Sequence, residues 1–174
     1  MVSLTALILA AAMTPILAWA PAPVRYAVRG QPLARASVKM DFFNDMKLGL
    51  AKLQAGQYDE AQIKQTLDRQ IKQKPCIMYS LSSCPFCKDT KKILSGLGTM
   101  YTIVECDQDE DGMPLKAELA ARIGRTSLPA VFAGGEFLGG CNDGGMGGVA
   151  TLQKQGKLTE VLIKAGALSP TQRI

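Results

Sequence analysis

The spacing of hydrophobic residues divides most of the chain into helices and strands. Cys76 to Ser80 is a short apolar run, which predicts a buried strand. Longer segments with apolar residues at helical spacing predict helices, and short segments rich in β-branched and aromatic residues predict strands. The predicted helices are 41–54, 59–72, 88–97, 113–123, 149–152 and 158–168, and the predicted strands are 76–80, 101–106, 130–133 and 136–138. Gly134 and Gly135 separate the last two strands and predict a hairpin.

The first two predicted helices carry packing positions but no recognisable chemistry. Asp41 is a suitable N-cap for the first helix, and Gly56 ends that helix as a glycine at C′. Asp59 is a suitable N-cap for the second helix. We expect the apolar side of each helix to pack against the domain. The apolar positions are Phe42, Phe43, Met46, Leu50 and Leu53 in the first helix, and Ile63, Leu67 and Ile71 in the second.

The segment before the first helix has the composition of a targeting presequence. Residues 1–18 carry no charge, and their apolar run from Leu4 to Leu17 is long enough for a secretory signal but short for a membrane span. Residues 19–40 contain basic residues and no acidic residue. A hydrophobic signal followed by a basic leader resembles the bipartite presequence of algae with secondary plastids. We therefore exclude residues 1–36 from the fold and predict a plastid (stroma) location, with the secretory pathway as the alternative.

Composition and charge narrow the class of protein. The 174 residues are 47% hydrophobic and 20% charged, which allows one compact domain with extensions. The formal net charge is +5, but no basic cluster is interleaved with aromatic residues, so we predict no nucleic-acid binding. Without residues 1–36 the chain has 17 basic and 15 acidic side chains, because Arg25, Arg29 and Arg35 are removed. We expect the mature protein to be a monomer that does not associate with membranes.

The chemistry predicted from the sequence centres on Cys84-Pro85-Phe86-Cys87. This segment lies between a predicted strand and a predicted helix, which is the pattern of thioredoxin-like redox motifs. At that junction, unpaired backbone N–H groups and the positive end of the helix dipole favour a thiolate on Cys84. Pro85 suits an early helical position, where its missing N–H costs nothing. Cys87 lies one helical turn further, close enough to form a disulfide with Cys84.

Metal binding is the alternative interpretation of these cysteines. Structural zinc needs four ligands, and the chain has no histidine and only isolated further cysteines. The acidic segment 107–111 has some of the spacing of a calcium loop, but Pro114 and the absence of a preceding helix favour a solvated loop. We predict no bound metal. Cys76 and Cys106 are expected in the core, whereas Cys141 is expected to be partly exposed in a loop, with a second redox role left open.

Two further motifs give the chain a family resemblance. Ser127-Leu128-Pro129 and the run Gly139-Gly140-Cys141-Asn142-Asp143 follow the cysteine motif at the order and spacing found in glutaredoxins. The resemblance spans about residues 62–168. It implies an α/β, thioredoxin-like fold, with a mixed four-stranded sheet flanked by helices, and glutathione as co-substrate. The predicted organisation is a presequence 1–36, a helical extension 37–58, a glutaredoxin domain 59–168 and a tail 169–174.

The resemblance also implies roles for individual residues. Cys84 matches the nucleophile that attacks glutathionylated proteins, and Cys87 matches the resolving thiol needed for protein disulfides. Pro129 is expected to be cis. Asn142 or Asp143 is in addition a suitable cap for the helix that follows. The glutathione-binding residues implied by the resemblance are Phe86, Lys116, Ser127, Leu128, Pro129, Gly140, Asn142 and Asp143.

The chain departs from the family pattern at two positions. Leu81 stands where many relatives have a lysine that pairs with the glycyl carboxylate of glutathione. Thr126 stands where many have a basic residue, and Arg125 is displaced from that position by one. We assign the missing charge to Lys116. A lost charge-assisted hydrogen bond costs ~1.5–3 kcal/mol, so glutathione affinity is expected to be weaker than is usual in the family.

Two other functions remain as alternatives. The first is an iron–sulfur carrier, in which two subunits hold a [2Fe–2S] cluster through Cys84 and glutathione. Pro85 argues against it, because cluster-binding relatives usually have glycine or serine at that position. The second is a thioredoxin-like reductase supplied by another protein. It is disfavoured because no tryptophan precedes Cys84 and no Gly-Pro pair separates the two cysteines.

Overall fold

The computed structural model describes residues 34–170, with side chains from residue 45 onward. All ten predicted elements are present in this range; the strands 76–80 and 130–133 have the predicted bounds, and the others have shifted ends. The predicted presequence lies outside the described residues except for its last three positions, which begin α1. The elements in chain order are α1 (Ala34–Ala55), α2 (Glu60–Gln73), β1 (Cys76–Ser80), α3 (Pro85–Gly96), β2 (Thr102–Glu105), α4 (Gly112–Ile123), β3 (Ala130–Ala133), β4 (Glu136–Gly139), α5 (Val149–Lys154) and α6 (Leu158–Lys164).

The four strands form one mixed sheet in the order β2-β1-β3-β4. β1 and β2 are parallel, with Tyr79 beside Val104. β3 is antiparallel to both of its neighbours, β1 and β4, and Tyr79 lies beside Ala130 on its other side. The thioredoxin-like arrangement implied by the resemblance is therefore confirmed. Because β1 is central and parallel to β2, its carboxyl end delivers Cys84 to the same sheet edge as the end of β2.

Both faces of β1 are buried, which explains why the strand is a continuous apolar run. Cys76 and Met78 belong to one core, together with buried residues of α3, α5 and α6. Ile77 and Tyr79 point to the opposite core, which α2 and α4 complete. The sheet thus has helices on each side, and Cys84 follows β1, whose residues are all buried.

The second helix, α2, forms as the sequence predicts. The Asp59 carboxylate accepts hydrogen bonds from the backbone N–H groups of Ala61 at 2.9 Å and Gln62 at 3.1 Å. Such a cap contributes about 1 kcal/mol to helix stability. The predicted inward positions are all buried; they are Ile63, Leu67 and Ile71.

The predictions for α1 are wrong in two respects. The helix begins at Ala34, so Asp41 lies inside it and is not its N-cap. Met46, Leu50 and Leu53 do not pack inward, since their side chains are 53, 55 and 80% exposed. Within the described range, no helix is both long and apolar enough to cross a membrane.

A different side of α1 faces the domain. α1 lies against α4, and Ala51 is the residue buried there, with Leu48 and Lys52 half-buried beside it. A small residue at the contact lets two helices approach closely, whereas the larger apolar side chains of α1 remain in solvent. The spacing of large apolar residues therefore predicted the helix correctly but not its orientation.

A buried carboxylate connects α1, α2 and α4. Glu118 of α4 is 2% exposed, and its side chain accepts a hydrogen bond from the Tyr58 hydroxyl at 2.7 Å. The ammonium groups of Lys52 and Lys64 each lie 3.6 Å from it. Burial, followed by the hydrogen bond to Glu118, raises the pKa of Tyr58. The neutral phenol therefore persists as the donor that this buried acid needs.

Candidate active site

Cys84 lies at the N-cap position of α3, as the Cys-Pro sequence requires. Its backbone is extended, with φ −74° and ψ 122°, and Pro85 is the first helical residue. The Cys84 carbonyl accepts the first helical hydrogen bond, from the Lys88 N–H at 3.1 Å. The Cys84 thiol is half-buried, whereas Cys87, one turn later, is completely buried. Both cysteines are free thiols, but only Cys84 is accessible from solvent.

The environment of Cys87 keeps its thiol protonated. Burial is the main cause that raises the pKa of Cys87 to about 11, and the neighbouring Cys84 thiol adds to the rise. The backbone of Leu81 and the hydroxyl of Ser80 act in the opposite direction. Near neutral pH, Cys87 is therefore a thiol that must lose its proton before it can attack a sulfur atom.

The loop before Cys84 is held by a residue whose role the sequence analysis missed. The Asp107 carboxylate accepts from the Ser82 N–H at 3.0 and 3.1 Å, and the Ser82 hydroxyl donates to it as well. These hydrogen bonds, that of the hydroxyl first, hold the pKa of Asp107 below its usual range. The sequence signal was available, because Asp107 follows β2 and Ser82 follows β1, and parallel strands end at one sheet edge.

The loop before β3 brings a backbone carbonyl to the thiol of Cys84. The Leu128–Pro129 peptide bond is cis, which confirms that prediction. The Cys84 thiol donates to the Leu128 carbonyl at a sulfur–oxygen distance of 3.8 Å. Leu128 packs against both cores, so its backbone is fixed opposite the sulfur.

The loop after β4 approaches the cis-proline loop closely. The Gly140 N–H donates to the Asp143 carbonyl at 2.7 Å, which closes a tight turn. A Cβ atom on Gly140 would lie 3.2 Å from the Pro129 carbonyl oxygen and 3.0 Å from the Asp143 carboxylate. Gly139 has a φ of 117°, and a Cβ there would lie 2.6 Å from the Asp143 carbonyl oxygen, so only glycine fits.

Arg125 joins the two loops, and the sequence analysis gave it no role. Its guanidinium donates to the Ser127 hydroxyl at 3.0 and 2.7 Å and to the Asp143 carboxylate at 3.1 and 3.3 Å. A Cβ on Gly144 would overlap this guanidinium, so the glycine leaves the space in which it lies. Arg125, which is displaced by one position from the usual basic residue of the family, was therefore the feature of the sequence that could have predicted this contact.

Other predicted residues lie at the edges of this arrangement. Phe86 follows Cys84 and Pro85 in sequence, and its side chain is 56% exposed. Asn142 and Asp143 do not cap the next helix, because the glycine-rich loop continues to Gly148, which holds the N-cap position of α5. The Asn142 carbonyl instead accepts from the Thr151 hydroxyl at 3.2 Å.

Lys116 is not brought into contact with the other predicted residues. It lies on α4, and among residues 45–170 no hydrogen bond or ion pair joins its side chain to the loops described above. Its charge acts on the thiol of Cys106 instead, where it partly opposes the effect of burial on the pKa. Its assigned role toward glutathione therefore stays a prediction.

The remaining cysteines are buried. Burial raises the pKa values of Cys76 and Cys106 to about 12, which confirms both as core thiols. Cys141 is 6% exposed, so the expectation of a partly exposed thiol is wrong. Its backbone carbonyl accepts from the Ala150 N–H at 2.7 Å, which joins the loop to the first turn of α5. Within residues 45–170, no group of three or more acidic, cysteine or histidine side chains is placed to hold a metal ion.

The fold and the pair of thiols define a thioredoxin-like redox protein. Comparison with known proteins identifies the family. The sequence profile named Glutaredoxin matches residues 76–138. Glutaredoxin-C6 of Oryza sativa subsp. japonica is 36% identical over 99 residues, which are 57% of this chain and 84% of the relative. The chain belongs to the glutaredoxin family.

Two further comparisons extend this result. Glutaredoxin-C4, chloroplastic, of the same rice is 36% identical over 95 residues, or 55% of this chain and 68% of the relative. The crystal structure of a buckwheat glutaredoxin–glutathione complex superimposes with a TM-score of 0.56 at 30% identity. That match covers 64% of this chain and 100% of the buckwheat chain. The similarity therefore includes a relative whose structure contains glutathione.

Proposed function

We propose that this protein is a glutathione-dependent thiol–disulfide oxidoreductase that acts through the thiolate of Cys84. The observation that carries the proposal is the asymmetry of the two thiols. Cys84 is accessible at the start of α3 and faces the Leu128 carbonyl, whereas Cys87 is buried. Membership of the glutaredoxin family supports the same activity. The proposed substrates are protein–glutathione mixed disulfides and protein disulfides.

The reaction with a glutathionylated protein needs only Cys84. Its thiolate attacks the glutathione sulfur, the mixed disulfide breaks, and the target protein leaves as a thiolate that takes up a proton. A second glutathione, as thiolate, then attacks the disulfide formed on Cys84. This step releases oxidised glutathione and restores the Cys84 thiolate. The free glutathione is thus the reductant, and it leaves as oxidised glutathione together with the glutathionyl group that arrived in the mixed disulfide.

Reduction of a protein disulfide uses Cys87 as well. Cys84 attacks one sulfur of the target disulfide and forms a mixed disulfide with the target. Cys87 then loses its proton and attacks the Cys84 sulfur, which releases the reduced target and leaves a Cys84–Cys87 disulfide. Two glutathione molecules reduce that disulfide. The raised pKa of Cys87 means that this second attack depends on the removal of its proton.

The proposed glutathione position follows the groove between the two loops. The backbone of Leu128 pairs with the cysteinyl part, while Asn142 and Asp143 hold the γ-glutamyl end. Lys116 is the proposed cation for the glycyl carboxylate. The closeness of Gly140 to the Pro129 carbonyl supports a groove that spans both loops. The other proposed contacts come from Phe86, Ser127, Pro129 and Gly140.

We propose the plastid stroma as the location of the mature protein. The apolar signal and the basic leader support this location, and one relative is described as chloroplastic. The proposed organisation keeps residues 1–36 as presequence, 37–58 as helical extension, 59–168 as glutaredoxin domain and 169–174 as tail. A fluorescent protein fused to residues 1–40 should enter plastids of an alga with complex plastids. Signal confined to the endomembranes or the medium would support secretion instead.

We also propose that the protein is a monomeric reductase of the Cys-Pro-Phe-Cys type and not a cluster carrier. Pro85 at the first position of α3 supports this choice, since it fixes the backbone directly after the nucleophile. After anaerobic incubation with iron, sulfide and glutathione, the protein should stay colourless and elute as a monomer. A brown dimer with iron–thiolate absorption would favour the iron–sulfur alternative.

One assay tests the central proposal. The protein is mixed with a glutathionylated peptide, glutathione, glutathione reductase and NADPH, and NADPH consumption is followed. We expect turnover that depends on both glutathione and the peptide. No turnover above the reaction without protein would refute the proposed function.

A further inference from the structure

A groove lies between α1 and the loop that leads to the cis proline. Lys47 and Leu48 of α1 form one side, and residues 124–127 form the other, around a cavity of about 170 Å³. The loop side includes Arg125, which links the two loops of the proposed glutathione site. The family match covers residues 76–138, so α1 adds a wall that lies outside that match. We call this cavity the α1 groove.

Contacts on the next turn of α1 fix the position of this wall. Ala51 is buried. The Lys52 ammonium lies 2.9 Å from the Glu60 carboxylate of α2 and 3.6 Å from the buried Glu118 of α4. Lys47 precedes Ala51 by one helical turn. Its backbone is therefore held by the packed part of the helix, while its side chain is exposed.

The charges in the α1 groove favour an anionic ligand. Arg125 directs its Nε and Nη2 atoms at Ser127 and Asp143, so these donors are already occupied. Lys47 forms no ion pair among residues 45–170. Thr126 lies on the opposite side of the same cavity and adds a hydroxyl group. An ammonium and a hydroxyl can together satisfy the two oxygens of a carboxylate.

We infer that the α1 groove binds a carboxylate of the glutathionylated substrate, with Lys47 as its cation. The inference rests on the proposed function, because the substrate must lie beside Cys84. Two carboxylates have the right chemistry: the glycyl carboxylate of glutathione, and an acidic side chain of the target protein next to its modified cysteine. Leu81 and Thr126 carry no charge. Lys116, proposed above for the glycyl carboxylate, does not line this cavity, so Lys47 and Lys116 are alternative cations for that carboxylate.

The test uses charge variants of the full chain. Lys47→Ala removes the proposed cation, and Lys47→Arg keeps a positive charge. Lys72→Ala is the matched control, since Lys72 is an exposed lysine in the last turn of α2. That turn leads into the start of β1, at the opposite sheet edge from Cys84. All three variants should keep the far-ultraviolet circular dichroism spectrum of the unsubstituted protein.

Three glutathionylated peptides distinguish the two sources of the carboxylate. The first has neutral residues around the modified cysteine, and the second has acidic residues there. The third has the neutral sequence, but the glycine of its glutathione ends in a carboxamide. Initial rates are measured for each peptide at low and at high salt, and kcat and KM are obtained separately.

We expect Lys47→Ala to raise KM about two- to fivefold at low salt, which is the range of an exposed ion pair, and to leave kcat unchanged. The increase should shrink at high salt, and Lys47→Arg should stay near the unsubstituted value. If the increase disappears with the carboxamide, the glycyl carboxylate is the ligand. If it appears only with the acidic peptide, the ligand is the side chain of the target.

The opposite results are as clear. A KM for Lys47→Ala that equals that of Lys72→Ala with all three peptides would overturn the inference, and so would a lower KM. In either case, turnover by the unsubstituted protein would leave the proposed function intact. No turnover by the unsubstituted protein would refute the proposed function, and the inference with it.

Discussion

Two regions of the molecule are built from different kinds of contact. One is the sulfur site around Cys84 and Cys87, and the other is the rim of the proposed glutathione groove, formed by Arg125 and Asp143. At the sulfur site, Cys84 lies at the N-terminus of α3, Cys87 is buried, and the Leu128 carbonyl faces the Cys84 sulfur. At the rim, Arg125 and Asp143 form an ion pair in which the Asp143 side chain is 71% exposed. Backbone and burial define the first region, and exposed charge defines the second.

This difference predicts how the two regions respond to substitution. Exposed ion pairs contribute about 1 kcal/mol or less, and salt screens them over roughly 10 Å at 0.1 M. The proposed mixed-disulfide intermediate needs the sulfur of Cys84, and no neighbouring group can replace it. Changes at the sulfur site should therefore alter rates by orders of magnitude at any salt concentration. Changes at the rim should alter KM by small factors that depend on salt.

The largest expected effect is at Cys84. Cys84→Ser should abolish reduction of a glutathionylated peptide, because the serine hydroxyl forms no disulfide. Cys87→Ser should keep that activity and lose reduction of a protein disulfide, since only the second reaction needs the buried thiol. Both activities are measured for both variants at matched concentrations. Equal loss of deglutathionylation in the two variants would contradict the division of roles.

The second expected effect is a difference in alkylation rate. Because its pKa is raised to about 11, Cys87 should have about a hundredfold smaller thiolate fraction at neutral pH than an unperturbed cysteine. Its reactivity should increase as the pH rises toward that value. Iodoacetamide labelling of the reduced protein, read by mass spectrometry, should therefore modify Cys84 first. Denatured protein is the control, in which all five cysteines should react at similar rates; earlier labelling of Cys87 in the folded protein would refute the asymmetry.

The third effect concerns the contact between the loops. Arg125→Ala should raise KM for the glutathionylated peptide about fivefold at low salt, because Ser127 and Asp143 lose their common partner. Arg125→Lys keeps the charge but not the planar guanidinium, so its KM should lie between that of Arg125→Ala and that of the unsubstituted protein. Unchanged kcat would separate this positioning role from sulfur chemistry. A lower KM in Arg125→Ala would mean that the arginine competes with the ligand for Asp143.

The smallest effect is expected at Leu81, where many relatives have a lysine. Leu81→Lys should lower KM about twofold at low salt by adding a charge near the glycyl carboxylate. Lys116→Ala should raise it by a similar factor if Lys116 holds that carboxylate. A strong effect of Lys116→Ala without any effect of Leu81→Lys would show that the contact has been rebuilt on α4. No effect of either would leave the backbone of Leu128 as the main support.

The sequence predicted the local structure around Cys84 and Cys87 well because local rules determine it. Pro85 can begin a helix and Gly124 can end one, and both residues do so. Once α3 forms, their spacing of three residues places the two cysteines of the motif about one helical turn apart. The cis peptide bond before Pro129 followed from the family resemblance, not from the physics of the segment.

The contacts that the sequence did not predict depend on distant parts of the chain. Ser82 and Asp107 are 25 residues apart, and Arg125 and Asp143 are 18 apart. The spacing of apolar residues along the sequence does not predict such distant pairs. The predicted orientation of α1 was wrong for a related reason. The close approach of α1 to α4 places the small Ala51 at the contact instead of the large apolar residues.

The buried Glu118 determines how short a working version of this protein can be. Its hydrogen-bond donor Tyr58 and its neighbour Lys52 both precede the predicted start of the glutaredoxin domain. A truncated chain that began at Asp59 would keep every residue of the family match, yet it would leave this carboxylate with Lys64 alone. An unsatisfied buried group costs about 1–3 kcal/mol, more when it is charged, out of a typical stability of about 5–15 kcal/mol. Expression work should therefore cut this chain before α1 and not at the edge of the recognised domain.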